Sequence, residues 1–234
     1  MGLPIYIQIH NDIKRNIEAE KWKIGDRIPS ERELSTEFGV SRMTLRQAIQ
    51  TLVDEGILER RVGSGTFVAN QKVQEKMSGV TGFTDLMLAQ GKQPSSKTIS
   101  YHTMEPSLSE MEKLKITQDQ AVLRMERIRY GDNVPICFEV ATVPENIVAG
   151  LEKSEVTSSL YRTLEQKKNL NLGKAQQTVS AMLASERIAE YLDIKRGDAI
   201  LRLRQITYLQ DGRPFEYVRT QYVGDRFEFY LEKG

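Results

Sequence analysis

Two pairs of arginines stand at spacings that matter chemically. In AVLRMERIRY, residues 121–130, Arg127 and Arg129 are two positions apart. Alternate residues of a strand share a face, so both guanidinium groups lie with Leu123 and Met125. That face begins apolar and ends cationic, and a charge brought toward packed protein is rarely left unpaired. An anion is expected against it. Spacing leaves two candidates equal: an internal ion pair with Glu139 or Glu216, or a bound carboxylate or phosphate gripped by the guanidinium fork. In SRMTLRQAIQ, residues 41–50, Arg42 and Arg46 are four apart and project together from a helix, flanked by Thr44 and Gln47. No acid occurs from residue 38 to residue 53. Such a face suits phosphates and guanine edges, although alone it reads as an ordinary solvated surface.

The helix that carries Arg42 belongs to an ordered series of signals. Ile5, Tyr6, Ile9, Ile13 and Ile17 recur at helical spacing after Pro4. Ser30 and Glu33 form a capping box that starts a short helix, and Gly39 ends it. Ser41 caps a longer helix with the apolar stripe Leu45, Ala48, Ile49, Leu52 and Val53, closed by Gly56. ILERRVGSGTFVAN then reads as a hairpin around Gly63-Ser64-Gly65, with Arg60 and Arg61 on its first strand. The order predicts a winged helix-turn-helix over residues 1–70, with its second helix in a DNA major groove. Residues 1–70 hold ten basic and ten acidic side chains, so the charge there is sorted rather than in excess.

The arginine strand belongs to a repeat. AILRLRQITY at 199–208 matches AVLRMERIRY at an offset of 78, with Gln205 and Thr207 in place of Arg127 and Arg129. Helical runs precede both copies, at 107–114 and 185–192, and turn signals follow at 131–133 and 211–213. Two helix–strand–turn–strand units predict one antiparallel sheet with helices on one side, an α+β layer. The polar stretch 71–78 reads as a linker to this second domain, residues 79–234.

The 234 residues carry a net charge of +1, so any nucleic-acid surface must be local. The lone Cys137 excludes an internal disulfide and reads as a small apolar filler, in keeping with a reducing cytoplasm. No signal peptide or membrane span is expected, and the two histidines, His10 and His102, show no partner spacing. No metal site, cofactor motif or nucleophile–base pair emerges.

The run IPSERELSTEFGVSRMTLRQAIQTLVDEGILERRVGSGTFVA resembles the GntR-type regulator signature over nearly its whole length. The resemblance implies that Arg32, Arg42, Thr44, Arg46 and Gly65 touch double-stranded operator DNA. Residues 79–231 resemble the UTRA effector-binding domain of the HutC subfamily, which has a chorismate-lyase-like fold. The matching pieces are GFTDLMLAQGKQP, RIRYGDNVPICFEV, SSLYRTLEQ and GRPFEYVRTQY, in that order. By the same resemblance, Thr84, Arg129 and Ser159 would meet an effector phosphate. Phe83, Arg127, Glu139, Tyr161, Glu216 and Tyr222 would line the rest of the site. Ser159 at a helix start favours an anion on physical grounds as well. Together these imply a homodimeric repressor, not an enzyme, released from DNA by a small anionic effector such as a sugar or amino-sugar phosphate. A carboxylate effector, a second domain that only dimerises, and an enzyme on the same fold are the alternatives.

Overall fold

The computed structural model describes residues 3–69 and 72–232. The chain divides into two compact units, Met1–Gln71 and Lys72–Gly234. Asn70, the last residue of the expected first domain, and Gln71, the first of the expected linker, lie outside the described residues.

The first unit holds three helices, α1 (Ile5–Glu18), α2 (Glu31–Glu37) and α3 (Arg42–Asp54), and a hairpin of β1 (Leu58–Arg61) and β2 (Gly65–Val68). Both bonds of the Ser30–Glu33 capping box are present, and the Ser41 side chain caps α3. Gly39 and Gly56 adopt φ of +64° and +69°, the left-handed conformation that ends each helix. Ile13, Leu34, Leu45, Ile49 and Leu52 share one core, and each such burial stabilises by about 1.5–3 kcal/mol. His10 departs from expectation: its Nε2 lies 2.7 Å from Glu55 Oε2, a pairing formed by packing across 45 residues rather than by spacing.

The second unit is built on a six-stranded antiparallel sheet. Its strands are β4 (Pro94–Met104), β5 (Val122–Gly131), β6 (Val134–Pro144), β7 (Leu172–Leu183), β8 (Ala199–Leu209) and β9 (Pro214–Val223), after the short β3 (Val73–Lys76). Their order is β4-β5-β6-β9-β8-β7, the same from either edge once the repeats are matched. Each repeat therefore owns one strand more than its sequence signature: β4 precedes α5 (Leu108–Leu114), and β7 precedes α9 (Glu186–Leu192). Both hairpins bulge directly after a proline. The register shifts by one residue between Arg129 and Tyr130 beside Pro135, and between Thr207 and Tyr208 beside Pro214. A proline cannot donate to the ladder, so a bulge is its natural place in a sheet. The shifts set Arg127 opposite Glu139 and Thr207 opposite Glu216.

Helices cover both faces, not one as expected. α5 and α9 pack against β6 and β9, burying Leu114, Val122, Ile188 and Leu192. The opposite face carries Leu123, Met125 and both arginines. It is roofed by α4 (Phe83–Ala89), α7 (Lys153–Ser158) and α8 (Leu160–Lys168), with α6 (Glu145–Val148) at the margin. The physical reason is the strand pattern: β5 is apolar on both alternations, with Val122 and Ile128 on one side and Leu123 and Met125 on the other. The expected linker also holds structure. Its residues 73–76 form β3, paired in parallel with β10 (Phe227–Tyr230), and Val73 and Phe227 are fully buried. Val73 and Glu75 point inward while Gln74 and Lys76 point out, an alternation too short to stand out in a polar stretch.

Candidate functional site

In the first unit the exposed side of α3 is set by its cap. Ser41 Oγ accepts from the Thr44 N–H at 3.1 Å and lies 2.9 Å from the Thr44 hydroxyl, which turns that hydroxyl toward the helix start. Arg42, Met43, Arg46 and Gln47 are exposed on the same helix, and Arg32 is exposed on α2. Glu31, which the sequence did not single out, ties the elements together. It accepts from Arg46 Nε at 3.1 Å and from Arg60 Nη2 at 3.2 Å, while Arg60 Nη1 donates to Gln50. One carboxylate thus meets an arginine of α3 and an arginine of β1. At the wing, Gly65 has φ +119°, and a Cβ there would stand 2.7 Å from Arg27 Nε. The Arg27 side chain could swing aside, but the backbone angle itself calls for glycine.

In the second unit a narrow cleft, with about 60 Å³ of interior space, opens between the six-stranded sheet, β3, α4 and the start of α8. It brings together Phe83, Thr84, Arg127, Arg129, Glu139, Ser159, Tyr161, Glu216 and Tyr222, and it adds Glu75 and Gln205.

The two arginines, equivalent by spacing, are not equivalent in place. Arg127 is spent on its own protein: Nε and Nη2 donate to Glu139 Oε1, and Nη1 donates to the Thr157 carbonyl at 2.8 Å. Burial works against the Glu139 charge, but Arg127 and Arg129 outweigh it and hold its carboxyl below the usual range. Arg129 is equally buried, at 3% exposure, yet poorly met. Its Nη1 lies 3.9 Å from Glu139, its Nη2 donates to Thr84 Oγ1 at 3.2 Å, and its Nε has no partner among the described residues. The guanidinium lies 4.6 Å from the centre of the Phe83 ring. Burial and the neighbouring Arg127 draw its pKa down to about 10, so it is charged at neutral pH.

Ser159 precedes α8, but its side chain makes no cap bond, which leaves the hydroxyl and the helix start free. Glu216 pairs with neither arginine, against one of the two expectations. Tyr161 donates to its Oε2 at 2.5 Å and Thr207 at 3.1 Å, and Gln205 donates on to Thr207 at 2.9 Å. Burial raises Glu216 to about 7, against the bonds from Tyr161 and Thr207, which favour its charged form. The second repeat therefore supplies a hydrogen-bonded polar wall that includes Gln205, Thr207 and Glu216, while the first supplies the two arginines. Tyr222 closes the cleft, stacked on Phe227 at 3.8 Å between ring centres.

A winged helix-turn-helix followed by a domain with a polar, charge-lined cleft is the arrangement of a ligand-responsive DNA-binding regulator. Residues 5–68 match the family model for bacterial regulatory proteins of the gntR family, and residues 89–228 match the UTRA domain. The chain belongs to the GntR family, in its HutC/UTRA-type subfamily. It is 33% identical over 227 residues to the HTH-type transcriptional repressor NagR of Bacillus subtilis, covering 97% of this chain and 93% of that protein. It is 31% identical over 228 residues to the mannosyl-D-glycerate transport/metabolism system repressor MngR of Escherichia coli, covering 97% and 95%. Among solved structures, PhnF from Mycobacterium smegmatis superposes with a TM-score of 0.81 at 26% identity, covering 96% of this chain and 98% of that one. The chain is thus a DNA-binding transcriptional regulator of repressor type that senses a small molecule, and not an enzyme. Among the described residues no helix is long and apolar enough to cross a membrane.

Proposed function

We propose that the cleft binds a small phosphorylated metabolite, a sugar or amino-sugar phosphate, and that binding weakens the hold on operator DNA. The observation that carries this reading is Arg129: a buried, charged guanidinium with an unpartnered Nε, beside the hydroxyls of Thr84 and Ser159. A buried donor left unmet costs about 1–3 kcal/mol, and a phosphate oxygen meets it. The start of α8 adds its partial positive charge. Arg127 then orients Glu139, and Glu139, Tyr161, Glu216 and Tyr222 face the ring and its hydroxyls.

In the first unit, Arg32, Arg42, Thr44 and Arg46 contact the operator, with the backbone at Gly65 against the DNA at the wing. Arg42 reads a base, and exposed Met43 suits a thymine methyl. The protein works as a homodimer, because paired reading helices match half-sites about one helical turn apart. Effector and operator oppose each other reciprocally: whatever factor the effector takes from DNA affinity, DNA takes from effector affinity. A carboxylate effector is the second reading, supported by the relative named for mannosyl-D-glycerate. Thermal stabilisation against a panel of sugar phosphates and sugar acids, with DNA release followed by fluorescence anisotropy, tests both. Stabilisation and release by a phosphorylated sugar alone supports the first reading. Stabilisation by none, with DNA binding intact, refutes both.

A further inference from the structure

Glu75 has no role in the site described so far. It lies on β3, opposite Phe229 of β10, and its side chain turns inward to the cleft. The residue is 8% exposed. Among the described residues no hydrogen bond or cation meets its carboxylate. Burial alone acts on it, holding its pKa up at about 7. Every other acid of the cleft is accounted for: Glu139 by Arg127, and Glu216 by Tyr161 and Thr207. Its oxygens stay open to the cleft, so a donor bound there can reach a carboxyl that no described protein group meets. The neighbours of Glu75 do not supply one. They are the Tyr222 hydroxyl and the Cys137 thiol, both of which feel its charge without bonding to it, and the rings of Phe227, stacked on Tyr222, and Phe229, set edge-on.

We propose that Glu75 is an effector-recognition residue that accepts a hydrogen bond from a donor on the ligand, and that it favours a protonated amine over a hydroxyl. This rests on the phosphate reading above and deepens it: Arg129 takes the anionic group, and Glu75 takes a cationic one. An ammonium supplies both hydrogen bonds and the missing positive charge, whereas a hydroxyl supplies only the bond. The effector class is then an amino-sugar phosphate. Glu75 would also account for selection among sugar phosphates, a task Arg129 cannot perform because all of them carry its ligand.

The experiment is calorimetric binding of glucosamine 6-phosphate and glucose 6-phosphate to the full chain, wild type and Glu75→Gln. The wild type is expected to bind the amine at least about tenfold more tightly, a factor of ten being 1.4 kcal/mol. Glu75→Gln keeps the shape, removes the charge, and should reduce that preference to within about twofold while glucose 6-phosphate binding stays near its wild-type value. An equal preference in both proteins overturns the assignment of Glu75 yet leaves the phosphate reading standing. Failure of both compounds, and of inorganic phosphate, to bind the wild type overturns the phosphate reading and this one with it. Should Glu75→Gln fold poorly, Glu75→Ser is measured in the same way, and the wild-type preference alone still decides: a glucose 6-phosphate affinity equal to or above that of the amine refutes the proposal.

Discussion

Arg127→Met and Arg129→Met remove the same group from neighbouring positions of one strand face, and the structure predicts unequal consequences for the empty protein. Arg127 and Glu139 have side chains 3% and 13% exposed, so Arg127→Met strands a buried carboxylate. It also frees the Thr157 carbonyl. Breaking a buried ion pair on one side costs about 3–5 kcal/mol. For a unit of this length each kcal/mol moves the melting point about 2–4 °C, so a fall of about 6–20 °C is expected. Arg129 is as buried, but its nearest carboxylate oxygen is 3.9 Å away and its Nε is orphaned. Its removal relieves an unmet donor worth about 1–3 kcal/mol, which offsets the lost Thr84 bond and Phe83 contact, and the methionine stem packs where the arginine stem lay. The melting point of Arg129→Met should therefore stay near that of the wild type. Scanning calorimetry of ligand-free full chain, following the transition of the second unit, is the assay. Equal losses in the two variants would refute the division of labour between the arginines. So would a loss confined to Arg129→Met.

Three further outcomes are expected. Gly65→Ala should destabilise the first unit by at least about 1 kcal/mol, because it forces a side chain into φ +119° and against Arg27, and its melting transition reads this directly. Burial pushes the Glu110 carboxyl up, but bonds from Arg124, Ser107 and Thr142 outweigh it and hold the pKa at about 2, below its ordinary 4.5. The stability this gives is present above pH 4.5 and lost as pH falls through the folded value. Glu110→Gln should accordingly cost about 1.5–3 kcal/mol in urea denaturation at neutral pH, and the gap to wild type should close in acid. Arg42→Ala should weaken specific operator binding by about 1–3 kcal/mol and relax selection at one base position, as footprinting and competition titrations would show.

The winged helix-turn-helix was legible because its signals are local. Ser30 with Glu33, Gly39, Ser41 and Gly56 each act within one turn of helix, and each does so in the structure. The arginine face was legible for the same reason, since alternation needs no partner. What stayed hidden depends on register and on packing. A two-residue turn at Asp132 and Asn133 with unbroken pairing would set Arg127 against Phe138. The bulge after Pro135 moves the register by one and brings Glu139 opposite. Composition could place glutamates near arginines but could not say which arginine would be neutralised. Glu75 was lost inside a polar stretch whose only apolar anchor before Met77 is Val73, and the parallel partner that makes it a strand is more than 150 residues away. The pairings of Glu31 with Arg46 and Arg60, and of His10 with Glu55, likewise cross between elements.

The central claim is that Arg129 receives a phosphate. Phosphorus NMR of a binding sugar phosphate, titrated with wild type and with Arg129→Met, tests it most directly. The account predicts a shifted bound resonance with the wild type and only the free resonance with the variant, whose fold remains intact by calorimetry. A ligand that binds the wild type with its phosphorus resonance unmoved, or that binds Arg129→Met equally well, would contradict it.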